Sequence, residues 1–256
     1  MVADAVGPLS VEVPTAVAFG MADPRTLSES LDSLRVQGVR RVAVVRLFLS
    51  GRSFYDQTRY LLGLSESSPE SFVLMGPPTH SGTIPLPIDH GMSVATHTDG
   101  LLVSDEARTI VAERARGLAR NPERESVLLL AHGMGREDDN EEVVAALQTM
   151  ADVLAESGFA EVEVATLRED WADKRKAAEE SIRAFAAYQA STGRRLIVIP
   201  VRLYGFGPYA ETLAGLEYSA GEGLLPHEAV LDWILATASD VFCRAGWGSA
   251  IAPCRP

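Results

Sequence analysis

Leu128-Leu129-Leu130-Ala131-His132-Gly133-Met134-Gly135 decides how this chain folds. An apolar run without alternation is the pattern of a strand buried on both faces, as in a parallel sheet covered by helices. It ends in a His and two glycines, and a helical pattern follows with Val143, Val144, Leu147, Met150 and Leu154 on one face. In an open α/β sheet, ligands bind outside the carboxyl ends of the strands. His132, a basic and ligating side chain, is therefore expected at the mouth of a crevice.

Working outward, the alternation continues. Residues 162–167 read as a strand, 172–189 as a helix, 196–203 as a second buried strand, and a further helix starts near Tyr209. The same order stands upstream. Residues 13–19 read as a strand, Asp23-Pro24 opens a helix with Leu27, Leu31 and Leu34 on one face, 42–49 read as a buried strand, and 55–64 as a helix. Laying Val42 on Leu196 puts Gly51 on Gly205, Tyr55 on Tyr209 and Thr58 on Thr212 without a gap, which points to an internal duplication. The expected fold class is α/β: two similar domains, each a parallel sheet flanked by helices, with a cleft between them. The expected halves are 1–120 and 121–256. The counterpart of His132 would fall before Met1, so the first half is read as lacking its first strand. Residues 65–99, rich in Ser, Pro, Gly and His, are read as a long irregular loop.

Composition narrows the function classes. With 256 residues and 46% hydrophobic content the chain supports a sizeable core, and a net charge of −12 argues against nucleic acid or an anionic membrane as partner. No stretch approaches the roughly 18 apolar residues of a membrane span, and residues 1–6 do not read as a signal peptide. A cytoplasmic protein is expected, with an export signal upstream of Met1 left open. Cys243 and Cys254 are read as unrelated thiols without chemistry.

Neither the dinucleotide nor the triphosphate glycine motif is present, and no Gly-x-Ser-x-Gly elbow accompanies His132-Gly133-Met134-Gly135. The second feature is Glu211, just past the buried strand 196–203, on the same expected sheet edge as His132. A His with a carboxylate can ligate a divalent cation or exchange protons with a nitrogen base. Gln57 takes the place of Glu211 in the first half, so the ionisable pair exists once. The acidic run Glu137-Asp138-Asp139-Asn140-Glu141-Glu142 reads either as dipole-stabilising residues at a helix start or as a ramp that gathers metal ions.

Residues 128–133, Val198-Ile199-Pro200 and the glycine-rich loop into Glu211-Thr212-Leu213 together resemble the class II tetrapyrrole chelatases, the sirohydrochlorin cobalto- and ferrochelatases and their protohaem relatives. The resemblance implies a lyase that inserts a divalent metal ion, Co²⁺ or Fe²⁺, into a sirohydrochlorin-type tetrapyrrole, as in cobalamin or sirohaem biosynthesis. It implies no cofactor beyond that substrate metal. His132 and Glu211 would be the catalytic and metal-handling pair. Many sirohydrochlorin enzymes carry a second His where this chain has Phe206-Gly207-Pro208-Tyr209, and His80, His90 or His97 would substitute as metal ligand. Because sirohydrochlorin is a polycarboxylate, Arg46, Arg136 and Arg202 are expected to bind its carboxylates, with Phe206 and Tyr209 facing the macrocycle. The expected state is a monomer or small homo-oligomer. The alternative is a non-catalytic metal- or tetrapyrrole-binding protein on the same fold.

Overall fold

Every residue of Glu125–Ala131 (β3) is buried, and this strand is the axis on which the second half is built. It pairs in parallel with Glu161–Thr166 (β4) on one side and Arg195–Val201 (β5) on the other, and β5 pairs with Ser219–Ala220 (β6), giving the order β4-β3-β5-β6. The helices Asp105–Leu118 (α3), Glu137–Glu156 (α4) and Ala172–Ser191 (α5) supply the connecting layers. α4 buries Val143, Ala146, Leu147, Met150 and Leu154, the stripe that its period predicts. The buried start of β3 is pinned by Glu125, whose carboxylate accepts the Arg120 and Asn121 amides and pairs with Arg195.

The chain leaves β3 toward β4 on one side and leaves β5 toward β6 on the other. Two neighbouring parallel strands whose connections part in this way leave a crevice at their carboxyl ends. His132 follows the last residue of β3.

The computed structural model describes residues 13–74 and 84–254. It divides the chain into two compact units, one of residues 1–100 with 231–256 and one of residues 101–230. This division differs from the expected break at 120/121. α3 belongs with the second sheet, and the long helix Glu228–Arg244 (α7) carries the chain back into the first unit.

In the first unit, Pro24–Val36 (α1) starts where Asp23-Pro24 predicts, with the Asp23 carboxylate accepting the amides of Arg25 and Thr26. Its Leu31 and Leu34 pack with Val42, Leu62 and Val94. Four expectations change here. Residues 13–19 form no strand: Pro14 has no N–H to donate to a ladder, and none of these residues is buried. The strand expected over 42–49 is only Arg41–Val44 (β1), because the side chain of Arg46 turns inward and the chain bends after it, Phe48 N–H reaching Arg46 O. The supposed loop 65–99 contains Ser93–Thr96 (β2), paired in parallel with β1. The helix near Tyr55 ends at Leu61 (α2, Tyr55–Leu61).

The helix begun at Tyr209 is a single turn, Tyr209–Thr212 (α6). Cys243 and Cys254 form a disulfide and are not unrelated thiols. It folds the last described residues back onto α7, where Ser239 also bonds Ser249 and the Ala252 carbonyl. No helix among the described residues is long and apolar enough to cross a membrane.

Candidate functional site

The turn after β3 is packed too tightly for side chains. Gly133 has φ +82°, and a Cβ there would lie 2.7 Å from Thr166 Cβ and 2.8 Å from Asn140 Oδ1; a Cβ on Gly135 would lie 2.5 Å from the Trp171 ring. Asn140 Oδ1 accepts the Met134 N–H at 3.0 Å and ties the turn to α4. The two glycines of the quoted motif are therefore there for space and, at Gly133, for backbone conformation.

This turn aims the imidazole of His132. Nδ1 lies 2.8 Å from the Gly133 carbonyl oxygen, an acceptor, so Nδ1 carries a proton and donates it. Nε2 lies 3.2 Å from Asp170 Oδ2, and the ring stands edge-to-face on Trp171 with centroids 5.8 Å apart. His132 is 36% exposed and Asp170 73%. With Nδ1 protonated, the Nε2 lone pair and a carboxylate oxygen face one another, an arrangement that draws a proton or a metal cation between them.

A charged cluster supports the turn from behind. Arg168 donates to both carboxylate oxygens of Glu137, at 3.0 and 3.1 Å, and to the Gly135 carbonyl at 3.1 Å. Lys174 donates to the same carboxylate and carbonyl. Hydrogen bonds from Arg168 and then Lys174 hold the Glu137 carboxyl down to about 2. Glu137 is thus engaged by two cations, whereas the ramp reading of the acidic run needs free carboxylates.

The other expected site residues fall out as follows. Glu211 is exposed in the single turn α6 after β5, and no hydrogen bond or ion pair joins it to His132. The carboxylate set against His132 is Asp170, four residues past the end of β4. Gln57, the counterpart of Glu211, is buried and ties Val73 N, Val73 O and Ala22 O. His90 spends both ring nitrogens on backbone, Leu62 O and Met92 N–H. His97 is 8% exposed, its Nε2 accepts the Arg46 N–H at 2.7 Å, and its ring stands edge-to-face on Trp233. His80 lies outside the described residues. Among the described residues no three His, Cys, Asp or Glu side chains converge to hold a metal ion.

Arg46 is likewise not a substrate-binding cation. It is buried, and its guanidinium donates to the carbonyls of Gly51, Ser53, His97 and Thr98. Arg202 pairs with Glu169 at 3.3 Å and lies over the Tyr209 ring. Tyr209 is wholly buried in the core cluster of β3 and β5, which prevents it from facing a macrocycle. Phe206 packs against that cluster, stacked on Tyr218. Arg136 alone of the three arginines is an exposed cation, held loosely at 3.7 Å by Asp138 and Asp139.

Sequence reading missed Asp170, Arg168 and Trp171. The signal was available: Arg168-Glu169-Asp170-Trp171 follows β4 as His132-Gly133 follows β3, and every strand-end turn on that edge is a candidate.

The described units are α/β, parallel sheets flanked by helices, and the fold is similar to that of a solved structure. SirB from Bacillus subtilis, solved with Fe³⁺, superposes with a TM-score of 0.63 at 12% identity, covering 96% of this chain and 91% of that one. DR2241 from Deinococcus radiodurans, described as a multi-domain protein with structural similarity to chelatases, gives a TM-score of 0.44 at 23% identity over 80% of this chain and 42% of that one. No protein-family model and no curated protein matches the sequence.

Proposed function

We propose that this chain inserts a divalent metal ion, Co²⁺ or Fe²⁺, into a sirohydrochlorin-type tetrapyrrole at the carboxyl edge of the β4-β3-β5-β6 sheet. The observation that carries the reading is His132 Nε2 facing Asp170 Oδ2 at 3.2 Å, with Nδ1 committed to Gly133 O. The likeness of fold to SirB, a structure holding Fe³⁺, supports it.

Insertion of M²⁺ into a free-base macrocycle displaces two N–H protons. Of the four metal–nitrogen bonds formed, the two made to N–H nitrogens each need a base to take the proton. His132 Nε2 and the Asp170 carboxylate stand side by side as two donors, able to pass the ion forward and, once it has left, to take one of the two protons each. A pair of donors open to solvent, His132 partly and Asp170 largely, suits hand-over rather than storage, and this favours the enzyme over the non-catalytic binder. Arg136, exposed at the end of the His132 turn, would meet a substrate carboxylate. The Cys243–Cys254 disulfide is a bond of the kind that oxidising compartments preserve.

The test is anaerobic: sirohydrochlorin with Co²⁺ is followed by absorbance with wild type and with His132→Ala. Wild type is expected to exceed the spontaneous rate and H132A to fall to it. Identical rates for wild type, H132A and no protein would overturn the reading.

A further inference from the structure

Arg168, two residues past the end of β4, has φ +57°, a conformation that residues bearing a side chain rarely adopt. It is 7% exposed. Its N–H donates to the His132 carbonyl at 2.7 Å, and its own carbonyl accepts the Trp171 N–H at 3.0 Å, closing the turn that presents Asp170. Its guanidinium reaches the Gly135 carbonyl and both oxygens of Glu137 at the start of α4. The backbone of the His132 turn and the turn bearing Asp170 thus meet on one residue. Left-handed backbone at a bulky residue persists only where the surroundings over-determine it, and such places cluster at functional sites.

We propose that Arg168 is the positioning residue of the His132–Asp170 pair, setting the separation of two groups on different strand-end turns; this rests on the reading of that pair as the metal-handling site. The fork matters because a guanidinium holds two carboxylate oxygens and a carbonyl in one plane, which an ammonium cannot reproduce. Glu137 is its anchor. Lys174, on α5, closes the cluster from the far side.

Arg168→Gly separates this role from a merely conformational one. Glycine accepts φ +57° without strain and keeps the amide bond to His132 O, while the fork is lost. Co²⁺ titration followed by tryptophan fluorescence, in a background carrying Trp233→Phe and Trp247→Phe, reads the pair directly, because the remaining indole, Trp171, lies against the His132 ring. R168G and Arg168→Lys, checked as folded by circular dichroism, are expected to bind Co²⁺ at least about tenfold more weakly, as losses of orienting partners do. Their kcat should fall by a similar factor while KM for the tetrapyrrole holds. Glu137→Gln is expected between them and wild type, and adding R168G to H132A should cost nothing further. If R168G fails to fold, R168K and E137Q decide. Wild-type Co²⁺ affinity in these variants overturns the proposal. Should wild type bind Co²⁺ through His132 yet not metallate sirohydrochlorin, the proposed function fails and the titration still judges Arg168. Absence of any His132-dependent binding overturns both.

Discussion

Arg46 and His97 hold each other twice: the Arg46 N–H donates to His97 Nε2 at 2.7 Å, and the Arg46 guanidinium donates to the His97 carbonyl at 3.2 and 3.0 Å. The first bond needs a neutral imidazole, since a protonated Nε2 has no lone pair to accept with. Burial, and after it the Arg46 charge, pushes the His97 imidazole down to about 4. A folded-state value below the unfolded one means that the unfolded chain binds the proton first. The stability from neutral His97 is therefore complete above about pH 6.5 and drains away as pH falls toward 4, by on the order of 3 kcal/mol. Thermal melts between pH 7 and 4 should show this slope in wild type and a shallower one in His97→Gln. Equal slopes would remove His97 as the cause.

The same geometry reassigns Arg46. Its guanidinium donates to four carbonyls, so Arg46→Met should destabilise the protein by about 3 kcal/mol through orphaned acceptors in a buried setting. Denaturant unfolding measures this. Tetrapyrrole affinity, read by absorbance titration on the folded fraction, is expected to stay at wild-type level, whereas a substrate-binding Arg46 would lose it.

What was legible in the sequence follows from how local the cause is. β3 and β5 are long apolar runs whose burial needs no partner to be inferred, and the Asp23-Pro24 start of α1 is a signal contained in two residues. His132 was legible because strand end, His and glycines are contiguous. β2 was not, since four residues among polar neighbours become a strand only by pairing with β1, more than forty residues upstream. Arg46 misled because a charge in an apolar run looks like a site until its carbonyl partners are seen. Asp170 sits after a strand with no wholly buried residue, and its role comes from a turn set by Arg168, a long-range contact. Glu211 satisfied the rule of the sheet edge, but the single turn α6 carries no contact that brings it to His132.

The Cys243–Cys254 disulfide closes a loop of sequence separation 11 at the end of α7. Chain-entropy arguments assign about 3 kcal/mol to a loop of that size. Dithiothreitol, or the double change Cys243→Ser with Cys254→Ser, should lower Tm by several degrees. Trypsin should then release the residues after Arg244, which in the oxidised protein remain tethered after cleavage. Release from the oxidised, unreduced protein would mean that the bond is absent in solution.

Gly133 tests the packing of the His132 turn from inside. A methyl group there meets Thr166 Cβ, Asn140 Oδ1 and Arg168 Cδ, all within 3 Å, and the backbone is left-handed. Gly133→Ala should cost about 2 kcal/mol or more by overpacking and strain together, read by denaturant unfolding. It should also weaken Co²⁺ binding, because the Gly133 carbonyl that fixes Nδ1 must move. Unchanged stability and unchanged affinity together would show that the turn is looser than its contacts indicate.

Which carboxylate serves His132 is decided by a double-mutant cycle. If Asp170 and His132 act as one pair, Asp170→Asn and His132→Ala each lower Co²⁺ affinity by about tenfold or more, and the double variant is no worse than the poorer single one. Glu211→Gln, changing a carboxylate with no bond to His132, should leave the titration near wild type. The reverse pattern, with E211Q costly and D170N silent, would assign the role to Glu211 and would require the short turn α6 to move toward β3 when the metal arrives. Strict additivity of D170N and H132A would instead make the 3.2 Å approach a surface ion pair of the ordinary kind, whose contribution is small and screened by salt.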